Sequence, residues 1–307
     1  MFSIAVQTGG LEEIYGIDGA YRAVKEAGFD AVDANVDHVF PPRNIKDHVI
    51  PEVLAPGASE TGLAAYFRQY KDAARKYGLV NYQAHAPFPS CEKGDEDPVW
   101  NDFLLEMLKK VIKGCSEMEC GQLIVHPFFG DYAHTVSREE EFKYNIERYM
   151  ALAETAKRYG VVINLENMFT GRKGKVYASV CNEGQSAAHY VDTLNQLAGE
   201  KRFGFCLDVG HATLVGLDIK RFMEDLGDRI TCFHVHDNDG INDLHQAPYT
   251  GKTDWDRFVE GLKEIRFDKT LSFETFAAVG TVHRELVPQT LRYIAACGRL
   301  FDRLAGQ

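Results

Sequence analysis

The thirteen residues Phe233–His245, FHVHDNDGINDLH, carry three histidines and three aspartates. The segment follows an apolar run that begins at Ile230, so it is predicted to start in a strand and continue into a loop. Because alternate side chains of a strand face opposite sides, His234 and His236 are expected to share one face, with Val235 on the other. Imidazole and carboxylate groups together at a strand end are typical ligands of a divalent metal such as Zn²⁺ or Mn²⁺. Taken alone, the segment is also compatible with a polar turn of solvated aspartates.

Further candidate ligands lie where other strand-like runs end. With the histidine of the first segment they form a set of six: His85, His126, Glu166, Asp208, His236 and Glu274. The motifs LDVGH and DLH add three more: His211, Asp243 and His245. Each residue alone is compatible with a structural role, such as a salt bridge or a cap. Burying nine such groups together without a counter-charge would cost on the order of several kcal/mol per ion, and a bound cation removes that cost. The whole set therefore predicts metal binding.

The elements that position these residues are eight strand-like runs, each followed by a helical pattern. The predicted strands are Phe2–Gln7, Phe29–Asn35, Leu79–Ala84, Leu123–Val125, Val161–Leu165, Phe203–Leu207, Arg229–Val235 and Thr270–Phe273. The predicted helices are Tyr15–Ala27, Gly62–Tyr77, Pro98–Met118, one from a Ser137 cap to Tyr159, Glu183–Ala198, Leu217–Leu226, one from Thr253 or Asp254 to Ile265, and Val282–Leu300. Two stretches, Val36–Thr61 and Met168–Cys181, are predicted to be long loops.

Apolar strands that alternate with helices indicate a parallel sheet covered by helices. Eight such units in 307 residues predict a closed (β/α)₈ TIM barrel, an α/β fold, as one domain over residues 1–307. A doubly wound open sheet is the alternative, but no G-x-G-x-x-G follows the first strand, which counts against a dinucleotide-binding form. In a barrel all strand ends lie on one face, so the nine candidate residues are expected to converge there.

The composition restricts the location and the partners. No apolar run reaches the roughly 18 residues of a membrane span, and the N-terminus MFSIAVQTGG has no signal-peptide pattern. The seven cysteines are odd in number and form no C-x-x-C, which favours free thiols in a reducing cytoplasm. A net charge of −11 gives no overall attraction to nucleic acid or to an anionic membrane. We therefore expect a cytoplasmic protein with no membrane partner.

Seven short motifs together resemble a known family. They are QAHAPF around His85, LIVHP at His126, INLEN at Glu166, CLDVGHA at Asp208–His211, HVHDND at His236, DLH at Asp243–His245 and FET at Glu274. The chain is similar to the xylose isomerase-like TIM-barrel superfamily, which contains sugar epimerases, sugar isomerases and endonuclease-IV-type AP endonucleases. The resemblance covers most of the chain, and its motifs are specific for the superfamily rather than for one member.

The resemblance implies different metal sets in the two branches. In the sugar epimerases it implies one divalent ion, held by Glu166, Asp208, His236 and Glu274. In the endonuclease-IV type it implies three zinc ions, held by His85, His126 and Glu166, by the epimerase set, and by His211, Asp243 and His245. The chain has a match at all nine positions, so one ion is expected and up to three stay open, with Zn²⁺, Mn²⁺ or Mg²⁺ as the metal.

Two observations count against the nuclease. The residues after His85 are APFPS, without the polar and aromatic intercalating loop of the DNA enzymes, and the insertions after the second and fifth strands differ from compact DNA-probing loops. Many epimerase-like proteins also keep the outer His and Asp positions, where they bind substrate hydroxyls. The resemblance therefore favours a metal-dependent isomerase or epimerase in carbohydrate metabolism, with a small sugar or sugar phosphate as its partner. Barrels of this kind frequently pair, so a homo-oligomer is compatible with the sequence.

The expected chemistry is proton transfer next to a carbonyl. A bound divalent ion polarises the carbonyl and stabilises an enediolate, while Glu166 and Glu274 remove and return the proton. The alternatives are an abasic-DNA phosphodiesterase, an inosose or hydroxy-acid dehydratase, and a metal- or sugar-binding protein without turnover. Two further groups have open roles, as substrate contacts or as ordinary surface and loop residues: the basic trio Arg172, Lys173 and Lys175, and the aromatic residues Phe88, Phe128 and Phe169.

Overall fold

Eight parallel strands form the sheet at the centre of the protein. The computed structural model describes residues 1–55, 57–92, 97–128, 137–172 and 174–306. The strands of this sheet are β1 (Ser3–Gln7), β2 (Ala31–Asn35), β3 (Val80–His85), β4 (Gln122–Ile124), β5 (Val162–Glu166), β8 (Phe203–Asp208), β9 (Ile230–His234) and β10 (Thr270–Phe273). Their order in the sheet is β10-β1-β2-β3-β4-β5-β8-β9. All eight correspond to predicted strands, and every end lies within two residues of the predicted one.

The sheet closes between its first and last members. The backbone N–H of Val235 donates to the carbonyl of Ser272 at 2.9 Å, and the N–H of Glu274 donates to the carbonyl of Val235 at 3.2 Å. Val235 and Phe273 form a parallel bridge at the same place. The (β/α)₈ TIM barrel predicted from the sequence is therefore confirmed, and the open-sheet alternative is excluded.

Helices connect the strands and cover the barrel. They are α1 (Leu11–Ala27), α2 (Pro42–Lys46), α3 (Glu60–Tyr77), α4 (Pro98–Glu117), α5 (Arg138–Tyr159), α6 (Gly184–Ala198), α7 (Val209–Leu214), α8 (Ile219–Leu226), α9 (Trp255–Glu264), α10 (Phe276–Gly280) and α11 (Val287–Ala305). The predicted cap of α5 is present: the Ser137 hydroxyl accepts the Glu140 N–H at 3.1 Å, and the Glu140 carboxylate accepts the Ser137 N–H at 2.9 Å. None of the described helices combines the length and apolarity that crossing a bilayer requires.

Several segments differ from the predicted elements, among them the short helix α7, which precedes the predicted helix Leu217–Leu226. The stretch Met168–Cys181, predicted to be a loop, contains an antiparallel hairpin of β6 (Phe169–Arg172) and β7 (Lys175–Ala178). Its strands have only four residues each, too few for a period-2 pattern to identify them. The long loop after β2 contains the short helix α2. The last helix begins at Val287 rather than at Val282, because the separate short helix α10 and a 3₁₀ turn precede it.

The core has an apolar outer layer and a polar inner one. Large aromatic side chains such as Phe205, Phe233 and Phe273 are fully buried between the sheet and the helices. Inside the barrel, by contrast, Asp33 and Gln83 are also fully buried and are hydrogen-bonded to each other. The barrel interior therefore positions polar groups directly beneath the strand ends. None of the seven cysteines, all of which lie in the described residues, forms a disulfide; Cys91 is half-buried and the other six are buried.

Glu12, in the first turn of α1, has a nearly buried carboxyl group. The Tyr70 hydroxyl donates to its Oε2 at 3.0 Å, and His38 Nε2 lies 3.8 Å from the same oxygen. Burial raises the pKa of Glu12 from its ordinary value of 4.5 to about 7. The native protein therefore keeps a proton on Glu12 at pH values where the unfolded chain has already lost it.

We expect the stabilising contribution of this proton to be complete below pH 4.5 and to be lost as the pH rises to about 7. A shift of this size corresponds to roughly 3 kcal/mol. Glu12→Gln keeps an acceptor for Tyr70 but cannot titrate. Urea unfolding of both proteins across this range should show the wild-type advantage over the variant falling as the pH rises. Glu13→Gln, at the exposed neighbouring position, is the matched control, and a pH-independent difference for Glu12→Gln would contradict the prediction.

Candidate metal centre

Three carboxylates and one imidazole converge at the C-terminal end of the barrel. Glu166 ends β5, Asp208 ends β8, His234 ends β9 and Glu274 directly follows β10. His234 Nδ1 lies 2.8 Å from Glu166 Oε1, 3.5 Å from Glu274 Oε2 and 3.9 Å from Asp208 Oδ2. All four side chains are buried, and one ligand atom from each lies within 4.8 Å of the others. These four residues, which we call the central set, could hold one metal ion.

The central set contains His234, whereas His236 belongs to two other groups of possible ligands, one with Asp208 and His211 and one with His245 and Glu274. The sequence assigned His236 to the ion, but His236 Nε2 lies 3.1 Å from Asp208 Oδ1 and 3.8 Å from Asp243 Oδ1, and its ring stacks on His245 at 4.1 Å. β9 ends at His234, and the chain leaves the regular strand before His236, which turns toward Asp208. Both histidines of HVH are buried, so the motif does not distinguish them; only the position of the strand end does.

A second group of candidate ligands lies beside Glu166. His126 Nε2 is 3.1 Å from Glu166 Oε2 and 3.0 Å from His85 Nε2. His85 Nδ1 faces the backbone carbonyl of Ala86 at 2.8 Å. One ligand atom from each of His85, His126 and Glu166 lies within 4.8 Å of the others, so these three residues could also hold a metal ion. The structure therefore brings these two predicted histidines to the central set through the second oxygen of Glu166.

The other predicted residues lie on the opposite side, next to Asp208. His211 Nε2 is 3.5 Å from Asp243 Oδ2, and the same oxygen lies 2.9 Å from His245 Nε2. His245 Nδ1 is 3.3 Å from Glu274 Oε2. All nine residues singled out from the sequence thus surround one mouth of the barrel, although they come from strand ends and loops throughout the chain.

Two buried residues that sequence analysis did not select hold this arrangement in place. Asn167 accepts the Asp208 N–H at 2.8 Å and donates to the Asp208 carbonyl at 2.9 Å, which fixes the end of β8. Asp237 accepts backbone N–H groups of Gly251 at 2.8 Å and Thr253 at 3.0 Å, and the indole N–H of Trp255 at 3.2 Å. Asp237 therefore anchors the loop that carries Asp243 and His245. The only sequence signal was proximity to ligands in the LEN and HVHD motifs.

The site opens into a cavity of about 880 Å³. Phe88, Phe128 and Phe169 line it, together with Met168 and Phe276, so the three aromatic residues of open role do form part of a wall above the carboxylates. Among the described residues that line the cavity, the only lysine or arginine is Lys46, which is exposed.

The basic trio lies in the β6–β7 hairpin. Arg172 pairs in register with Lys175, whose side chain is exposed, and Lys173 lies outside the described residues. Lys175 is absent from the described lining of the cavity. For Lys175, the structure therefore favours an ordinary surface position over a contact with the substrate.

Comparison with known proteins identifies the family. Residues 21–297 match the family model described as xylose isomerase-like TIM barrel. The chain belongs to this family. A protein of Methanocaldococcus jannaschii without a described function is 25% identical over 264 residues, which cover 84% of this chain and 78% of that protein. Inosose isomerase of Bacillus subtilis is 25% identical over 57% of this chain and 61% of its own length, and a probable endonuclease 4 of Thermoplasma acidophilum is 27% identical over 55% and 56%.

Solved structures share the fold of this xylose isomerase-like barrel over nearly the whole chain. A D-tagatose 3-epimerase-like protein superposes with a TM-score of 0.71 at 20% identity, covering 99% of this chain and 98% of that one. L-ribulose 3-epimerase gives a TM-score of 0.73 at 14% identity, covering 99% and 96%. The IOLI protein, solved with a binding zinc atom, gives 0.68 at 20% identity, covering 96% and 97%. At these identities the likeness establishes the fold.

In this xylose isomerase-like barrel, the buried histidines and carboxylates shift one another's pKa values. Burial works to raise the pKa of Glu166, but His234 and His126 hold it well below its usual range. Burial likewise opposes ionisation of Glu274, and the positive charges of His234 and His245 keep its pKa below the ordinary value. Burial acts to lower the pKa of His211, but Asp208 and Asp243 raise it to about 10. The acids are therefore ionised, and positive charge is stabilised beside them.

These donors fit a divalent cation. Three buried carboxylates face one imidazole, and oxygen and nitrogen donors of this kind bind Zn²⁺, Mn²⁺ and related ions. Two buried polar atoms around the centre have no hydrogen-bond partner among the described residues: His236 Nδ1 and Asp243 Oδ1. Such atoms are costly to bury unless they are paired or bound to a cation.

Gly210, in α7, makes room for His236. A Cβ at this position would lie 1.9 Å from His236 Cε1. We expect Gly210→Ala to destabilise the protein by roughly 1–3 kcal/mol, because the methyl group must displace His236 from Asp208. Gly62→Ala, within α3, is the matched control, since its Cβ would meet nothing within 4 Å. Thermal unfolding should show a lower midpoint for Gly210→Ala only; equal midpoints for both variants would rule out the crowding.

Proposed function

We propose that the protein is a divalent-metal-dependent isomerase or epimerase that acts on a sugar or sugar derivative by proton transfer next to a carbonyl. The observation that supports this most directly is the relation between Glu166 and Glu274. They come from β5 and from the end of β10, and both lie within 3.5 Å of the same nitrogen of His234. Two carboxylates that reach one point from different strands could act as the two proton-transfer groups that epimerisation requires.

The ion would be held by Glu166, Asp208, Glu274 and His234, the last in the place where the sequence predicted His236. When bound, it supplies a Lewis acid that polarises a carbonyl and stabilises an enediolate. The ionised state of both glutamates, described above, is the state in which they could accept a proton. We assign His85, His126, His211, Asp243 and His245 to substrate hydroxyls or to additional ions.

Each carboxylate oxygen of the two glutamates faces a neighbouring side chain. The Gln7 amide donates to Glu274 Oε1 at 2.7 Å, while Glu274 Oε2 faces His234 and His245. Glu166 Oε1 faces His234 and its Oε2 faces His126. Each carboxylate is thereby oriented by side chains of other strands, so that a proton could be taken on one side and returned on the other.

The names of the relatives support this class of reaction. An inosose isomerase is among the sequence relatives, and the structural relatives include a D-tagatose 3-epimerase-like protein and L-ribulose 3-epimerase. The zinc atom of the IOLI structure supports a divalent metal. The aromatic and apolar wall of the cavity suits the carbon face of a sugar ring.

The test is a panel of ketoses, ketose phosphates and inososes, incubated in D₂O with the metal-loaded protein and observed by NMR. We expect deuterium to enter at the carbon next to the carbonyl of at least one compound, and a chelator to stop the exchange. Formation of an epimer or an aldose identifies the reaction, whereas loss of water identifies the dehydratase. Absence of exchange across the panel with metal bound would overturn the proposal.

A second candidate, an abasic-DNA phosphodiesterase, is favoured by one observation. The outer candidate ligands lie close to one another: His85 Nε2 is 3.0 Å from His126 Nε2, and Asp243 Oδ2 is 3.5 Å from His211 Nε2 and 2.9 Å from His245 Nε2. Elemental analysis separates the two functions, because one ion per chain favours sugar chemistry and three zinc ions favour the nuclease. Cleavage of an abasic oligonucleotide would overturn our proposal in favour of the phosphodiesterase.

A further inference from the structure

Asp33, on β2, lies inside the barrel beneath the central set. Its side chain is fully buried. Its Oδ2 accepts hydrogen bonds from Gln83 Nε2 at 2.7 Å and from the Ser272 hydroxyl at 3.0 Å. Neither sequence analysis nor the proposed function gives β2 a role at the metal. A charged carboxylate is nevertheless costly to bury unless neighbouring groups pair with it or donate hydrogen bonds to it.

The third neighbour of this oxygen is His234. His234 Nε2 lies 3.4 Å from Asp33 Oδ2, while Nδ1 on the other edge of the ring faces Glu166 at 2.8 Å. The imidazole thus lies between the central set and Asp33. Among the described residues, Nε2 makes no hydrogen bond of regular geometry, and Asp33 Oδ2 is the carboxylate oxygen that lies beside it.

The chemistry of a histidine ligand explains this arrangement. A neutral imidazole that binds a metal through Nδ1 must carry its proton on Nε2, and metal-bound histidines commonly donate that proton to a carboxylate. Cys206 Sγ also lies within 4.8 Å of a ring nitrogen of His234. Of these two groups only Asp33 is a carboxylate, and its Oδ2 lies 3.4 Å from Nε2, so Asp33 is the natural acceptor for the Nε2 proton.

We infer that Asp33 is a positioning residue: it holds the His234 ring with Nε2–H toward β2 and with Nδ1 unprotonated toward the three carboxylates. This inference rests on the proposed metal site. Through Asp33, β2 would then raise the affinity of the central set for its metal, although this strand carries no ligand itself.

Asp33→Asn is the most informative change, because it keeps the size of the side chain. If the amide oxygen stays at the position shared by the three donors, the NH₂ group occupies the place of Asp33 Oδ1, which has no partner among the described residues. If the amide turns over, its NH₂ faces the donors of Gln83 and Ser272. In both orientations the negative charge that favours Nε2–H is lost.

The experiment is a Co²⁺ titration of wild type and variants, followed by visible absorption, with Zn²⁺ affinity measured by chelator competition. We expect Asp33→Asn to weaken metal binding by roughly 10- to 100-fold and to change the Co²⁺ spectrum. Ser272→Ala, which removes a different donor from the same oxygen, is the matched control and should bind Co²⁺ nearly as wild type does. Melting of the metal-free proteins is measured in parallel, so that lost stability is separated from lost affinity.

A double-mutant cycle shows whether Asp33 acts through His234. In a His234→Ala background, Asp33→Asn should cause no further loss of affinity. Wild-type affinity and spectrum in Asp33→Asn, or an equal loss in both backgrounds, would overturn the inference while leaving the proposed metal site intact. A wild-type protein that binds no Co²⁺ would instead overturn the proposed function, and this inference with it.

Discussion

Replacing Glu274 or Glu166 by glutamine is expected to slow exchange of the substrate α-proton with solvent deuterium by roughly 10²- to 10⁴-fold, the usual contribution of a positioned general base. The amide keeps the size of the side chain and one acceptor oxygen, but it cannot take up a proton. The measurement is NMR exchange in D₂O with the compound that the panel identifies.

Metal content must be measured in the same samples, because both glutamates belong to the central set. A variant that keeps its metal and loses exchange has lost a base, whereas a variant that loses both has lost a ligand. Glu92→Gln is the matched control: Glu92 lines the same cavity but pairs with His48 at 2.6 Å, away from His234. Wild-type exchange in a metal-loaded Glu166→Gln or Glu274→Gln would remove that residue from the mechanism.

Two histidines only two residues apart are expected to differ sharply in their effect on metal binding. His234→Ala should weaken binding at the centre by more than the roughly 10- to 100-fold that an outer partner contributes, because it removes a direct ligand. His236→Ala should retain the central ion, since His236 faces Asp208 and Asp243 from the side of His245.

Isothermal titration with Zn²⁺ and elemental analysis after desalting measure this difference. The two variants remove the same side chain from the same motif, so each is the control for the other. If metal is instead lost in His236→Ala and retained in His234→Ala, His236 is the ligand, as the sequence predicted.

The strands and the principal helices could be predicted from the sequence because their signals are local. A buried parallel strand needs a continuous apolar run, such as Phe203–Leu207, and a helix needs periodicity with a start and a stop, such as Ser137 with Glu140 and the end at Gly160. The pattern fails for short elements. The β6–β7 hairpin and the helix α10 are too brief to show a period in the sequence.

The candidate site divides in the same way. The sequence by itself determined which residue types stand at the strand ends, and closure of the barrel then brings all nine into one mouth, because parallel strands end on one face. Only the tertiary structure decided that His234 rather than His236 lies among the carboxylates, and that Asp33 and Asp237 support them from below and from the loop. The physical reason is that His236 lies beyond the end of β9, where side chains no longer follow the alternation of a strand, while a partner across the barrel leaves no trace in the spacing of its own segment.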